Sequence, residues 1–404
     1  MTAPEAYAEM QLQSLLKDGW CADQDAVILF DFERLDGLLH KVRAAFPKHA
    51  QHAVAIKTNP LLKVLEHISK AGFGLEAASW QELLMAKKAH PDAEVFWDSP
   101  AKTVKEIELS QGITRLTINI DSWEELERHA VNPTAAHYNL RINPETGENS
   151  TPLMNVAGSD SKFGVSIREE ERILQAFDQY PFLTGFHVHS SSQSWDQAKL
   201  VEGIARVFAL TRKLNRPIRT FNIGGGLPYD FEKQESLSVK DYADALSRRI
   251  PELFSAQITL QSEFGRYYHA PCGITFSRVE YVKGTNLILH VGADLFMREC
   301  YQPGVWSHGL SVHTVDGKTK QGESAAYNLC GPLCFGGDVI ARKVSLPKVE
   351  PGDWVAIHDT GANSFALWSR HCSRPMPRMV GRRKGELATI KEKESDQEVI
   401  GFWE

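Results

Sequence analysis

The chain has 404 residues, of which 42% are hydrophobic and 24% are charged, and its formal net charge is −6 at pH 7. This slightly acidic balance argues against a nucleic-acid-binding protein, which usually carries a basic surface, while the length is sufficient for two domains. No apolar run approaches the ~20 residues that a membrane helix needs, and the first residues lack the basic and apolar segments of a signal peptide.

Between residues 50 and 265, short apolar runs alternate with longer amphipathic ones. Helix patterns lie between the apolar runs, and they open at Pro60 or at a serine in a capping position, Ser79 and Ser122. Eight strand-and-helix repeats predict a parallel (β/α)8 barrel, a fold that typically takes ~250 residues. The eight candidate strands are HAVAIK, GFGLEA, EVFWDS, RLTINI, HYNLRI, LTGFHVH, TFNIGG and ITLQSE.

Lys57 follows the first of these strands directly. A lysine at the end of a buried strand is costly unless it is paired, hydrogen-bonded or reactive, and burial predicts a lowered pKa, which favours the neutral nucleophilic amine. Active sites of barrels form where the strands end, so polar groups collected there indicate a pocket. Most of the other strands also end in a polar group or a glycine: Glu76, Asp98, Arg141, His189, Gly224 and Glu263.

Two glycine-bearing loops follow the seventh and eighth strands, at residues 224–226 and at Gly265 with Arg266. Loops in these two places form the phosphate site of many barrels, although a tight turn is the alternative for each loop taken alone. A phosphate there and a reactive Lys57 together fit pyridoxal phosphate, a phosphorylated aldehyde that binds lysine covalently. Glu263 could then hold the pyridine nitrogen protonated.

Two further side chains fit the same cofactor. His189 could stack on the ring, although a hydrogen-bonded core histidine is the alternative for this residue alone, and Ser192 could reach the phosphate.

The pattern changes after residue 267. Short strand-like runs punctuated by glycine, proline and aspartate predict an all-β domain, and the early run AVILFDF could join it. We therefore expect a barrel domain of residues 33–267 and a β-rich domain of residues 1–32 with 268–404. The six cysteines are sparse and form no C-x-x-C pair, so we expect a cytoplasmic protein with no metal site.

Six motifs, in family order, resemble those of the fold-type III pyridoxal-phosphate decarboxylases, which include ornithine, arginine and diaminopimelate decarboxylases. The resemblance implies an alanine-racemase-like barrel followed by a C-terminal β domain, and it spans Lys57 to Ser364. The motifs are AIKTN, HVHSSSQ, NIGGG, SEFGR, CGPLCFGGD and DTGANSF.

The same resemblance implies roles for individual residues. Lys57 would carry the cofactor as a Schiff base, Glu263 would bind the pyridine nitrogen, and His189 would stack on the ring. Cys334 would be the acid that protonates the product carbon. Cys334 and Asp338 would reach the site from a partner subunit, which implies a homodimer with shared active sites. The remaining cofactor contacts would be Glu76, Arg141, Ser192, Gly225, Gly226, Gly265 and Arg266.

Two positions depart from the family pattern. Asn363 stands where the family has tyrosine, and it can still donate a hydrogen bond near the phosphate. Phe335 stands where relatives that act on diamino acids carry an acid for the distal ammonium, a bond that phenylalanine cannot make. Arg298 matches a position that contacts substrate carboxylate in some relatives, with a surface salt bridge as the alternative.

These features predict an amino-acid α-decarboxylase. Phe335 favours a side-chain-conjugated diamino acid, such as the citryl-linked substrates of siderophore synthesis. The alternatives are a decarboxylase of a free diamino acid, of the diaminopimelate or ornithine type, a racemase of the same fold, and a catalytically inactive regulatory homologue. Racemases place an arginine at the pyridine nitrogen, so Glu263 favours decarboxylation.

Overall fold

The computed structural model describes residues 1–134, 136–146 and 157–404. The strands are β1 (Ala26–Asp31), β2 (Gln51–Ala55), β3 (Gly74–Ala77), β4 (Val95–Trp97), β5 (Leu116–Ile120), β6 (His137–Asn143), β7 (Val165–Ser166), β8 (Leu183–His187), β9 (Thr220–Asn222), β10 (Tyr229–Asp230), β11 (Glu235–Ser236), β12 (Thr259–Phe264), β13 (Gly273–Lys283), β14 (Asn286–Leu289), β15 (Leu310–His313), β16 (Ser324–Cys330), β17 (Val339–Pro347), β18 (Trp354–His358), β19 (Arg378–Arg383) and β20 (Glu386–Lys391). The helices are α1 (Ala3–Lys17), α2 (Phe32–Ala45), α3 (Leu62–Lys70), α4 (Trp80–Ala89), α5 (Val104–Ser110), α6 (Trp123–Val131), α7 (Glu170–Gln179), α8 (Gln197–Thr211), α9 (Val239–Arg249), α10 (Arg266–His269), α11 (Met297–Tyr301) and α12 (Asp396–Gly401).

The chain divides into two compact units, one of residues 38–229 and 236–268 and the other of residues 1–37, 230–235 and 269–404. The two domains predicted from the sequence, residues 33–267 and residues 1–32 with 268–404, remain a prediction. Among the described residues, no helix has both the length and the apolar character needed to cross a membrane.

The first unit contains a closed barrel of eight parallel strands, which confirms the predicted fold. The strands pair in the order β2–β3–β4–β5–β6–β8–β9–β12, and β12 pairs with β2 to close the ring. Each of the eight predicted runs overlaps one of these strands. The predicted serine caps are confirmed, since the hydroxyls of Ser79 and Ser122 accept N–H bonds from the first turns of α4 and α6.

The barrel interior contains a ladder of amide side chains instead of a wholly apolar filling. Asn139 donates to Gln261 across the barrel at 3.1 Å, and Gln261 donates to Gln51 at 2.9 Å. The Thr220 hydroxyl donates to the Asn139 side-chain oxygen at 2.6 Å. These polar groups are therefore hydrogen-bonded to one another, as burial requires. They lie on the strands of the barrel whose ends carry the candidate site.

The second unit is mostly sheet. Strand β1 pairs antiparallel with β13 and parallel with β19, so the early run lies in one sheet with C-terminal strands. Helix α1 covers this sheet with Ala8, Leu12 and Leu15, which belong to one buried cluster with apolar residues of β1, β13 and β18.

Folding stability is expected to fall as the pH drops, because buried histidines are held neutral. Burial lowers the pKa of His52, on β2, from its ordinary 6.5 to about 4. The unfolded chain therefore takes up this proton near pH 6.5 and the folded chain only near pH 4. The free energy of unfolding should decline across that window by up to about 3 kcal/mol for this one residue.

Urea unfolding at pH 7 and at pH 4.5 measures this decline. The variant His52→Gln should reduce the pH dependence, since glutamine can replace the 2.8 Å bond of His52 to the Ser262 hydroxyl. The matched variant at exposed His40, His40→Gln, should leave the dependence unchanged. An unaltered pH dependence in His52→Gln would contradict the prediction.

Candidate active site

Lys57 lies in a single 3-10 turn, Ile56–Thr58, directly after β2. Its Nζ atom lies 2.6 Å and 2.5 Å from the two carboxylate oxygens of Glu76, at the end of β3. The Lys57 side chain is 50% exposed, whereas that of Glu76 is fully buried. The two predicted residues are therefore brought together at the strand ends, with the amine accessible on one side.

The prediction of a lowered amine pKa was wrong. Desolvation does lower the pKa of Lys57, but the nearby carboxylates of Glu76, Asp98 and Glu263 outweigh it and raise the pKa above its ordinary value. Lys57 is therefore held as an ammonium ion hydrogen-bonded to Glu76, whose own pKa is raised by burial to about 8. Sequence reasoning considered only the burial of the strand and not the charges on its neighbours.

Glu263, near the end of β12, lies in a network of buried side chains from four other strands. Its Oε1 atom accepts N–H bonds from Asn119 at 2.9 Å and from Asn222 at 2.6 Å. Its Oε2 atom lies 3.3 Å from Nε2 of His187, and Nδ1 of His187 has no hydrogen-bond partner among the described residues. Burial, with the negative charge of Asp98 adding to it, raises the pKa of Glu263.

His189 follows β8, and its Nδ1 atom accepts the backbone N–H of Gly225 at 3.2 Å. The proton of the neutral ring is therefore on Nε2. Desolvation, supported by the charge of Arg141, lowers the pKa of His189 well below its ordinary value, so the imidazole is neutral at pH 7. A neutral ring can stack on an aromatic cofactor without carrying charge into the site.

The glycine loop after β9 approaches neighbouring backbone closely. Gly224 and Gly226 have φ angles of +65° and +105°, which favour glycine. A Cβ atom at Gly225 would lie 2.6 Å from the carbonyl oxygen of Glu263, and one at Gly226 would lie 2.3 Å from that of Ser191. The loop is therefore packed between the ends of β8 and β12.

The other predicted phosphate contacts lie at the same end. A Cβ atom at Gly265 would lie 2.5 Å from Thr58, the residue after Lys57. Arg266 donates to the Gln193 side-chain oxygen at 2.7 Å, and half-buried Ser192 precedes Gln193 in the turn after β8. The two predicted glycine loops therefore lie beside the ends of β2, β8 and β12, at the same end of the barrel.

Arg141 is buried on β6 and lies within the same unit. Its Nη1 atom donates to Asp121 at 3.1 Å, and its guanidinium lies 4.5 Å from the ring centroid of Phe163. Sequence reasoning assigned Arg141 to the cofactor ring but named neither neighbour. No role was predicted for His187, Asn119 or Asn222. The signal that could have revealed them is a polar residue within each of the apolar runs HVH, TINI and FNIGG.

The remaining predicted residues lie in the second unit. Cys334 is exposed and Phe335 stacks on Tyr301, with ring centroids 5.2 Å apart. The guanidinium of Arg298 lies 4.7 Å from the Trp306 ring centroid. Asn363 has a φ angle of +58°, and its buried side-chain oxygen has no hydrogen-bond partner among the described residues.

Asp338 is buried in the second unit, and its carboxylate accepts main-chain N–H bonds from Ala293 at 2.5 Å and from Leu333 at 2.6 Å. A Cβ atom at Gly292 or Gly331 would lie 2.3 Å from this carboxylate, so both glycines are needed for the close approach. The arrangement fixes the segment that carries Cys334 through one backbone bond to each Asp338 oxygen.

Comparison with known proteins places these residues in context. A family model described as the pyridoxal-binding domain of pyridoxal-dependent decarboxylases matches residues 33–270. The chain is 28% identical to a diaminopimelate decarboxylase of Bacteroides thetaiotaomicron over 83% of this chain and 89% of that protein. It is 26% identical to a diaminopimelate decarboxylase of Campylobacter jejuni over 93% of this chain and 95% of that protein.

Solved structures show the same fold at lower sequence identity. The diaminopimelate decarboxylase of Helicobacter pylori complexed with L-lysine superposes with a TM-score of 0.86 at 23% identity, covering 96% of this chain and 99% of that one. The lysine/ornithine decarboxylase of Vibrio vulnificus complexed with cadaverine gives a TM-score of 0.78 at 19% identity, covering 92% and 98%.

Proposed function

The chain belongs to the family of pyridoxal-dependent decarboxylases and is a pyridoxal-phosphate-dependent carboxy-lyase, and we propose that it removes the α-carboxylate of a free diamino acid. The names of the relatives support this substrate class, since they are diaminopimelate decarboxylases that align with most of the chain. The single observation that carries the decarboxylase chemistry is the position of Lys57 and Glu263 at the ends of two neighbouring barrel strands, β2 and β12.

The residues present fit the cofactor. His187 is fully buried, with Nε2 3.3 Å from Glu263 and with Nδ1 lacking a hydrogen-bond partner among the described residues, so a polar group from a ligand is expected beside Nδ1. Lys57 supplies the amine that would hold an aldehyde, and Glu263 the carboxylate for a ring nitrogen. The residues that would surround a phosphate are Ser192, Gly225, Gly226, Gly265 and Arg266.

When bound, pyridoxal phosphate supplies an aldehyde for the substrate amine and a ring that accepts the electron pair left by departing carbon dioxide. The chain supplies the proton chemistry around it. Glu76 keeps Lys57 charged until the amine is used, and Lys57 is placed to give and take protons at the reacting amine. Neutral His189 and Arg141 would help to hold the ring of the cofactor.

We propose that the second unit completes the site from a partner subunit, in a homodimer. Exposed Cys334 would then donate the proton to the carbon that has lost its carboxylate. Asp338, whose two oxygens each accept a backbone N–H bond, would hold the Cys334 segment in place, and its remaining lone pairs would be available to the substrate. The six cysteines are all free, which supports a cytoplasmic location for the reaction.

Phe335 favours a second candidate substrate. It stacks on Tyr301 and offers no carboxylate to a distal ammonium group, which motivates a diamino acid conjugated through its side chain, such as a citryl conjugate. The relatives do not support that substrate, because their names are those of free diamino acid decarboxylases. The racemase and regulator alternatives are likewise unsupported by the relatives.

Purified protein loaded with pyridoxal phosphate and offered a panel of amino acids tests the substrate. We expect carbon dioxide release from diaminopimelate, lysine or ornithine, with the matching amine identified by mass spectrometry. The variant Phe335→Asp should raise kcat/KM for the best free diamino acid by about 10- to 100-fold, since it restores one bond to a charged group. Exposed Tyr281→Asp, on the same unit, is the matched control.

Exclusive turnover of citryl-conjugated diamino acids would overturn the free-substrate proposal in favour of the second candidate. Absence of carbon dioxide release from every compound, in protein that retains bound cofactor, would overturn both.

A further inference from the structure

A second carboxylate, that of half-buried Asp98, lies beside Glu263. Asp98 directly follows β4, and its Oδ2 atom lies 3.8 Å from Nε2 of His187, which in turn lies 3.3 Å from Glu263. One polar atom from each of these three side chains falls within 4.8 Å of the other two. Asp98 is one of the polar residues predicted to stand at a strand end, and no role was predicted for it.

The side chain of Asn119 bridges the two carboxylates. Its Nδ2 atom donates to Oδ1 of Asp98 and, at 2.9 Å, to Oε1 of Glu263. The orientation of this amide follows from the ladder below it, because Asn139 donates to the Asn119 side-chain oxygen at 2.9 Å. Both N–H groups of Asn119 are therefore directed at the acids, and the two carboxylates are fixed relative to each other.

The two acids differ in their surroundings. Burial by itself raises the pKa of Asp98, but the charges of His187, Arg141 and Lys57 outweigh it and hold the pKa below its ordinary range. Burial raises the pKa of Glu263, and the negative charge of Asp98 raises it further. Asp98 thus stays ionised while Glu263 has the higher affinity for a proton. The charged and titratable groups facing the pair are Lys57, Glu76, Arg141, His187 and His189.

We propose that Asp98 is a positioning residue, acting through Asn119 and through its charge, that keeps Glu263 oriented and strengthens its hold on a proton shared with the cofactor's ring nitrogen. This inference rests on the proposed function. Retention of that proton would favour electron withdrawal by the ring. The charge of Asp98 would therefore increase the rate of carboxylate loss, although Asp98 itself makes no contact with the substrate.

The variant Asp98→Asn separates charge from shape, because asparagine can still accept the bond from Asn119. We expect kcat to fall by about 10- to 100-fold with little change in KM, the effect of weakening one interaction with a charged group. We also expect the alkaline limb of the kcat pH profile to shift to lower pH by roughly one to two units. The absorbance change of the bound cofactor, titrated without substrate, should shift in the same direction by the same amount. Removal of a negative charge lowers the proton affinity of its neighbour, which sets this direction.

The chain offers a matched control at the other end of the same strand. Glu94 directly precedes β4, and Glu94→Gln should leave the profile and the absorbance titration unchanged. Asp98→Glu keeps the charge and should therefore keep the wild-type midpoint of the pH profile and of the absorbance titration. This variant is the test to use if Asp98→Asn does not fold. A wild-type profile in Asp98→Asn, a lower melting temperature without a pH shift, or a shifted midpoint in Asp98→Glu would each overturn the inference. Failure of the proposed function is distinguishable, since the wild-type protein would then release no carbon dioxide.

Discussion

Replacing Lys57 with alanine is expected to abolish covalent cofactor binding and to reduce decarboxylation by at least about 10²- to 10⁴-fold. The lower bound is the usual contribution of one positioned acid–base group, and loss of the attachment amine adds to it. Borohydride reduction followed by peptide mass spectrometry measures the attachment directly. We expect a pyridoxyl adduct on the Lys57 peptide of the wild-type chain and none in the variant.

Alanine at this position also leaves buried Glu76 without its cation, which destabilises the fold independently of catalysis. The variant Lys57→Arg avoids this problem, because arginine keeps the positive charge but forms no stable adduct with the aldehyde. Lys70→Ala, at the exposed end of α3, is the matched control and should keep both adduct and activity. A borohydride-reduced wild-type chain without an adduct at Lys57, or full activity in Lys57→Arg, would refute the assignment.

Replacing Glu263 with glutamine is expected to lower kcat by about 100-fold, close to the upper value for a bond between charged groups. The amide oxygen of glutamine can still accept the bonds from Asn119 and Asn222, so the shape of the site is kept. The negative charge that would hold a proton on the ring nitrogen is lost. Steady-state kinetics and the absorbance spectrum of the bound cofactor measure the two consequences separately.

Glu94→Gln is the control for this change as well, since it replaces a partly buried acid at the opposite end of the barrel strands. Unchanged kcat and an unchanged spectrum in Glu263→Gln would show that the carboxylate does not act on the ring. A lowered melting temperature with normal kcat would assign Glu263 a structural role alone.

The barrel and much of its site could be predicted from the sequence because their signals are local. A strand is recognised from its apolar run, and a helix start from a serine cap, so all eight strands and the positions of Lys57 and Glu263 at their ends were found without tertiary information. The glycine loop was found in the same way, since three consecutive glycines at 224–226 are a local signal.

Distances between side chains from separate strands were not available from such patterns. Asp98 and Asn119 meet Glu263 only because the register of the closed barrel brings β4, β5 and β12 to one level. The raised pKa of Lys57 has the same origin, since the carboxylates that outweigh desolvation come from three other strands. The sequence by itself therefore determined which reactive groups stand at the strand ends, and the tertiary structure decided their partners and charges, because electrostatic energy depends on distances that local patterns do not set.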